Sequence, residues 1–212
     1  MAVNRVAVDL DVTFDVGDLA PTWDLQLTAW LADATEAGLP EPNAMVLATV
    51  DVEQSPSTRT VLCKSLDARG VVFYTNYTST KSHDLQANQR ASVTFPWYGL
   101  HRQAHLRGLV EQVGREEAQR YWATRPRGSQ LGAWASPQSA VLSDRRVLED
   151  SWEAISRRFA DTADVPLPPH WGGWLLRPEQ VEFWQGRRDR LHDRLCYVRT
   201  DDRRWVVRRL AP

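Results

Sequence analysis

Cysteine is scarce in this chain. Cys63 and Cys196 are the only two, and both fall inside apolar, strand-like runs. Two such residues cannot build a disulfide framework, and their setting reads as buried thiols rather than a bridge or a metal pair. No charge of one sign dominates. The net charge is -1, which argues against a general nucleic-acid or membrane-surface binder. The arginine pairs Arg203-Arg204 and Arg208-Arg209 are balanced by acids elsewhere and read as solvated strand faces. No apolar run approaches membrane-spanning length, and the N-terminus lacks a basic-then-apolar signal, so the expected compartment is the cytoplasm. Common cofactor and metal signatures are also missing. There is no Gly-x-Gly-x-x-Gly behind a strand, no Walker loop, no Cys-x-x-Cys, no His-Glu-x-x-His and no nucleophile elbow. His101 and His105 are four apart, but on a strand that spacing does not make the helical metal pair, so no metal is expected.

Lysine is equally rare. Lys64 and Lys81 stand alone, although lysine and arginine together number 26. An ammonium is a compact point charge suited to a phosphate or a developing anion, whereas a guanidinium is a planar fork. Two lysines surviving so close together therefore single out their neighbourhoods. Lys64 ends the run Arg59-Thr60-Val61-Leu62-Cys63-Lys64, and Lys81 lies in Ser79-Thr80-Lys81-Ser82.

What is present suits one domain. The 42% hydrophobic content supports a sizeable core, and ten tryptophans are mostly core-filling rings. Residues 1–20 are acidic, lack helical periodicity and read as a flexible arm, leaving 21–212 as the folded domain. Thr22 can cap a helix whose apolar stripe is Trp23, Leu27, Trp30, Leu31 and Ala34, ended by Gly38 and Pro40. Strands are expected at Ala44–Val50, Thr58–Cys63, Val71–Thr75, Ala91–Trp97 and Gln103–Val113, with a helix over 79–88. A helical middle follows at Glu116–Thr124, Ser129–Ala135 and a third helix capped by Ser143, with Leu148, Trp152, Ile155 and Phe159 on one face. After a stiff linker at Pro166, Pro168 and Pro169 come strands at Trp174–Leu176, Gln180–Trp184, Leu195–Arg199 and Trp205–Leu210. The fold class is α+β, a mostly antiparallel β-barrel with helices inserted between its strands.

The candidate chemistry lies in anion sites. Arg59 and Lys64 bracket one strand, but a five-residue offset puts them on opposite faces unless the strand ends or bulges between them. Ser79 to Ser82 offers hydroxyls and an ammonium at a helix start, where backbone N–H groups favour phosphate; an ordinary serine cap with a solvated lysine has the same pattern. Tyr121 and Arg125 share a helix face with Ser129 across a proline turn, as a phosphate clamp or as a surface stack. In the stretch from Glu182 to Arg194, the residues Arg190, His192 and Arg194 alternate, so on an extended chain they point to one side. Trp184 and Gln185 precede them as a ring platform. A charged edge strand is the bland alternative.

Several motifs together resemble the pyridoxine/pyridoxamine 5′-phosphate oxidase family. They are Arg59–Lys64, Phe73-Tyr74-Thr75-Asn76, Phe95-Pro96-Trp97, Arg102-Gln103, Arg125-Pro126-Arg127, Ser129–Trp134, Gln138-Ser139, Trp171-Gly172-Gly173 and Glu182–Arg194. The resemblance implies an FMN-binding split-barrel homodimer with FMN at the subunit interface. It also implies oxidation of pyridoxine 5′-phosphate or pyridoxamine 5′-phosphate to pyridoxal 5′-phosphate, with O2 reduced to hydrogen peroxide. The implied FMN contacts are Arg59, Thr60, Val61, Leu62, Cys63, Lys64, Tyr74, Thr75, Thr80, Lys81, Gln103, Gln138, Ser139, Trp184 and Arg194. The implied substrate contacts are Lys64, Tyr121, Arg125, Ser129, Arg190, Leu191 and His192, with Arg190 and His192 at the reacting carbon. Thr80 stands where the family usually has arginine, which replaces a charge with a hydroxyl. The arm before residue 18 lacks the Arg-x-x-Tyr pattern seen in some members. Two alternatives share the barrel: a phenazine-type flavin oxidase, and a flavin or pyridoxal-phosphate binding protein without turnover.

Overall fold

A computed structural model describes residues 12–212. Helix α1 (Trp23–Glu36) opens the domain, with Thr22 in extended backbone at its N-cap. Among the described residues the nine strands are β1 (Ala44–Val50), β2 (Pro56–Leu62), β3 (Ser65–Asp67), β4 (Gly70–Asn76), β5 (Arg90–Trp97), β6 (Arg102–Gln112), β7 (Trp171–Gln185), β8 (Asp193–Arg199) and β9 (Trp205–Arg209). Helix α2 (Thr80–Ala87) joins β4 to β5, while α3 (Arg115–Ala123), α4 (Arg127–Ala135) and α5 (Arg145–Arg158) join β6 to β7.

All strand pairs are antiparallel, in the order β2-β1-β5-β6-β7-β4-β3, with β8 on β7 and β9 on β8. β2 and β4 approach one another without a shared ladder, so the sheet curls into a barrel with a seam between them. Alternation fills the interior. Leu47, Val93, Phe95, Leu106, Val181, Phe183 and Leu195 are all fully buried. Trp23, Leu27, Trp30 and Ala34 are the buried stripe of α1, and the Trp30 ring meets Phe183 edge-on at 5.1 Å. A second cluster, around Trp122, Leu131, Phe159, Val165 and Leu167, lies under the inserted helices and meets the barrel at Trp171.

Four expectations change. First, residues 1–11 of the expected arm lie outside the described residues, but Phe14 is buried and packs on Trp30 at 5.1 Å. The Tyr197 hydroxyl also donates to Ala20 O at 2.6 Å. Second, Trp174–Leu176 and Gln180–Trp184 are one continuous strand. Pro178 sits opposite Gly108, where the register shifts, and proline is tolerated at such an irregularity. A Cβ on Gly108 would meet Arg177 O at 2.0 Å. Third, α5 is capped by Asp144, whose carboxylate accepts from Arg146 N and Val147 N, and not by Ser143. Fourth, Trp152 on that helix faces solvent.

Both thiols are buried, and burial pushes each up to about 11. Little thiolate exists at neutral pH, so neither cysteine should be alkylated in the native protein. Mass spectrometry after brief iodoacetamide treatment checks this; labelling before unfolding would contradict the burial.

Candidate functional site

The seam between β2 and β4 opens into a cavity of about 650 Å³. Its cationic lining is Arg59, Lys64, Lys81 and Arg125, and among the described residues no carboxylate lines it. Thr60, Val61, Leu62, Tyr74, Thr75, Tyr121, Ser129 and Gln138 also line it. Arg59 and Lys64 reach one cavity despite their odd offset because β2 ends at Leu62 and Lys64 lies beyond the strand. The lysine's own N–H donates to Val72 O at 2.8 Å, which fixes the link to β4.

Lys81 is buried in the first turn of α2. Its Nζ donates to Thr75 Oγ1 at 3.3 Å, Ser79 Oγ at 3.2 Å and Gln138 Oε1 at 3.2 Å. All three acceptors are neutral. Burial therefore pulls its pKa below the usual lysine value, with the Arg59 charge acting in the same direction and Asp84 against it. A buried ammonium held by neutral oxygens gains from an anion placed beside it.

Arg59 is held from behind. Its guanidinium donates to Thr49 Oγ1 at 2.5 Å and Ser57 Oγ at 2.9 Å, and lies 3.6 Å from the buried Asp84 carboxylate. Thr49 Oγ1 donates in turn to Asp84 Oδ2 at 2.6 Å. Sequence reasoning missed Ser57, two residues away on the same strand, and also Thr49 and Asp84, because nothing local to Arg59 announces partners on β1 and α2.

The opposite wall is aromatic. Tyr74 stacks on Tyr121 at 4.0 Å and on Trp171 at 5.4 Å. Gly173 stands opposite Tyr74 in the register, and a Cβ there would meet the Tyr74 ring at 2.8 Å. The missing side chain is what lets the ring lie flat. Arg125 sits over Trp171 at 4.6 Å and over Trp122 at 5.1 Å. Its buried Nη1 has no hydrogen-bond partner among the described residues. An unsatisfied buried guanidinium N–H is costly unless a ligand accepts from it, so this atom fits an anion bound in the cavity. Trp171, Asn76, Gly132, Ala133 and Ser136 complete the lining and had no role assigned from sequence. The signal for Trp171 was its place in the Trp-Gly-Gly motif.

The remaining expected residues are elsewhere in the protomer. Cys63 points into the core, its Sγ directed at Ser65 O. Thr80 and Ser139 are exposed beside the cavity but do not line it. Gln103, Trp184 and Arg194 are neighbours in one row across β6, β7 and β8. Trp171 and Trp184 lie at opposite ends of β7, a run of roughly 40 Å at strand spacing. The shorter route, from Thr60 across β1, β5 and β6 to β7, is four strand spacings, about 19 Å. The expected site is thus split into a cavity and a separate loop.

That loop corrects a further expectation. Residues 186–192 are not an extended alternating strand. β7 and β8 are antiparallel neighbours with Gln185 opposite Asp193, so the chain must reverse between them, and Arg188–Arg190 forms a 3-10 turn. Arg190 and Leu191 are exposed. The Arg187 N–H donates to His192 Nδ1 at 3.0 Å, which leaves the proton of a neutral ring on Nε2. The His192 ring lies 4.5 Å from Trp184. Arg194 is engaged by Glu182 through two bonds, at 2.8 and 3.0 Å, which raises its pKa.

Comparison with known proteins gives a consistent picture. The family model for pyridoxamine 5′-phosphate oxidase matches residues 31–159, and that for the pyridoxine 5′-phosphate oxidase C-terminal dimerisation region matches 171–212. The chain is 60% identical over 201 residues to a pyridoxine/pyridoxamine 5′-phosphate oxidase of Saccharopolyspora erythraea, covering 94% of this chain and 90% of that one. Among solved structures it is similar to PhzG from Burkholderia lata in complex with tetrahydrophenazine-1-carboxylic acid, with a TM-score of 0.88 and 32% identity, covering 97% of this chain and 100% of that one. A pyridoxamine 5′-phosphate oxidase-related, FMN-binding protein from Nostoc punctiforme shares the fold, with a TM-score of 0.73 and 20% identity, covering 92% and 98%.

Proposed function

The chain belongs to the pyridoxamine 5′-phosphate oxidase family and is an oxidoreductase, and from that premise we propose its reaction. It oxidises pyridoxine 5′-phosphate or pyridoxamine 5′-phosphate to pyridoxal 5′-phosphate, with FMN as the redox group and O2 reduced to hydrogen peroxide. The observation that carries this reading is a cavity lined, among the described residues, by four cations and no carboxylate, in which Arg125 Nη1 has no partner among those residues. Such a lining suits two phosphate-bearing molecules together.

FMN, when bound, supplies the acceptor for a hydride equivalent from the substrate C4′ carbon and passes electrons on to dioxygen. Arg59, the 60–62 backbone, Thr75, Lys81 and Gln138 would hold it, with Tyr74 as a flat wall. Lys64, Tyr121, Arg125 and Ser129 would take the substrate phosphate. The platform of Tyr74, Tyr121 and Trp171 would exclude water beside it. Arg190 and His192 would orient the C4′ substituent, with the His192 proton on Nε2 as a hydrogen-bond donor.

The separation of the loop from the cavity supports a homodimer, because a second copy can supply what one protomer lacks. Each protomer would then offer its cavity to the partner's 184–194 loop. The match of residues 171–212 to a dimerisation region agrees with this.

In air, the FMN-loaded protein should convert pyridoxamine 5′-phosphate to pyridoxal 5′-phosphate with one peroxide per product. FMN-loaded protein that yields neither product from either B6 substrate would refute the reading. One observation favours a second reading: the 32% identical structure carries a tetrahydrophenazine carboxylic acid. A higher kcat/KM for that acid than for both B6 phosphates would transfer the function to it.

Arg125→Ala is expected to raise KM for the phosphate substrate roughly 10- to 100-fold with kcat little changed, because a remote clamp mostly supplies binding. Arg125→Lys keeps the charge but not the stacked fork and should fall between. Steady-state kinetics with both variants check this; an unchanged KM would remove Arg125 from the phosphate site.

A further inference from the structure

The loop between β7 and β8 carries backbone strain. Asp189 and Arg190 have φ of 53° and 62°, two consecutive left-handed residues that are not glycine. Residues with a Cβ hold that conformation only when their surroundings over-determine it.

One restraint on the loop acts through Asp193, where the chain enters β8. Its Oδ2 accepts the Phe14 N–H at 3.1 Å and lies 3.7 Å from Arg187 Nη1. Its Oδ1 accepts from Arg209 Nη1 at 3.0 Å. Arg209 also donates to Asp15 Oδ1 at 2.7 Å, so Asp15, Arg209, Asp193 and Arg187 form one chain of alternating charge. The N-terminal end of this chain is anchored, because the Phe14 ring is buried against Trp30. One carboxylate, with its side chain 18% exposed, thus ties together three distant parts of the sequence: the segment at Phe14, strand β9 and the loop.

We propose that Asp193 is a positioning residue, a clasp that holds the 186–192 loop, and with it Arg190 and His192, in the geometry that turnover requires. This rests on the reading of Arg190 and His192 as reacting-end residues. Asp193 itself does not line the cavity. The clasp gives the Phe14–Asp15 segment a part in turnover without any contact to substrate. An aspartate is suited to the task because its two oxygens accept from backbone and guanidinium donors at once.

Asp193→Asn keeps the size and one acceptor but removes the charge. In the full-length, FMN-loaded protein, amide exchange over residues 187–192 should quicken about tenfold, as for a loop released to local opening. kcat should fall about tenfold, as expected when reacting groups are misplaced. KM and the FMN dissociation constant should each move less than about twofold, a split that a general loss of structure would not give. Arg209→Gln removes the charge that links Asp15 to Asp193 and should show the same pattern at smaller amplitude, which keeps the test open if Asp193→Asn does not fold. Unchanged exchange in a folded variant overturns the clasp, and faster exchange with unchanged kcat overturns its role in turnover. Wild-type protein that oxidises neither B6 phosphate would sink the underlying functional reading instead, and exchange alone would then decide the clasp.

Discussion

Arg190→Ala should lower kcat by about 100-fold or more while leaving FMN content near that of the parent protein, the size expected for losing an orienting or proton-handling group. Arg190 is exposed on a strained turn, and it does not line the cavity of its own protomer. Neither property suits a residue kept for packing. Removing its side chain relieves no buried contact, so stability should change little. What is lost is a guanidinium that would meet the reacting end of a substrate bound in the partner's cavity. Steady-state kinetics and the ratio of flavin to protein absorbance settle the matter. A parallel loss of flavin and activity would reassign Arg190 to the cofactor, and unchanged kcat would remove it from the reaction.

Lys81→Ala has the largest expected effect on cofactor binding. A buried charge-assisted bond to phosphate contributes about 1.5–3 kcal/mol, so FMN affinity should fall roughly 10- to 100-fold, as measured by flavin fluorescence quenching. The pH dependence is a sharper test. The Lys81 pKa is pulled below the ordinary 10.5, chiefly by burial and next by Arg59. Raising the pH should therefore weaken FMN binding before an ordinary lysine would titrate. Lys81→Arg, charged throughout this range, should flatten that decline. The sign for folding is opposite. Between the lowered pKa and 10.5 the unfolded chain binds more protons than the folded one, so the Lys81 contribution makes FMN-free protein more stable as pH rises. FMN affinity that is insensitive to Lys81→Ala would place the phosphate elsewhere in the cavity.

The sequence revealed single elements better than their assembly. Helix α1 was legible because Trp23, Leu27, Trp30, Leu31 and Ala34 recur at helical spacing; all but the half-buried Leu31 are buried, and Gln26 joins them. Strands β1, β5 and β6 were legible from alternation and β-branching. Strand β7 was read as two pieces because Arg177-Pro178 interrupts the apolar pattern, and only the pairing with Gly108 shows why the proline does no damage. The cap of α5 was ambiguous between neighbours, since serine and aspartate both serve and only backbone geometry chooses.

At the site, composition pointed to the two lysines, and both line the cavity. The residues behind them were not legible. Asp84 and Thr49 support Arg59 from α2 and β1, and that contact exists only after the barrel closes. The division of the expected residues between a cavity and a loop was equally hidden, because it depends on which end of a long strand each occupies.

The most direct measurement is the visible spectrum of FMN-loaded protein without oxygen, before and after pyridoxine 5′-phosphate and then pyridoxamine 5′-phosphate. The proposed function requires bleaching of the oxidised flavin band with one pyridoxal 5′-phosphate formed per flavin. A flavin spectrum left unbleached by both substrates would contradict it.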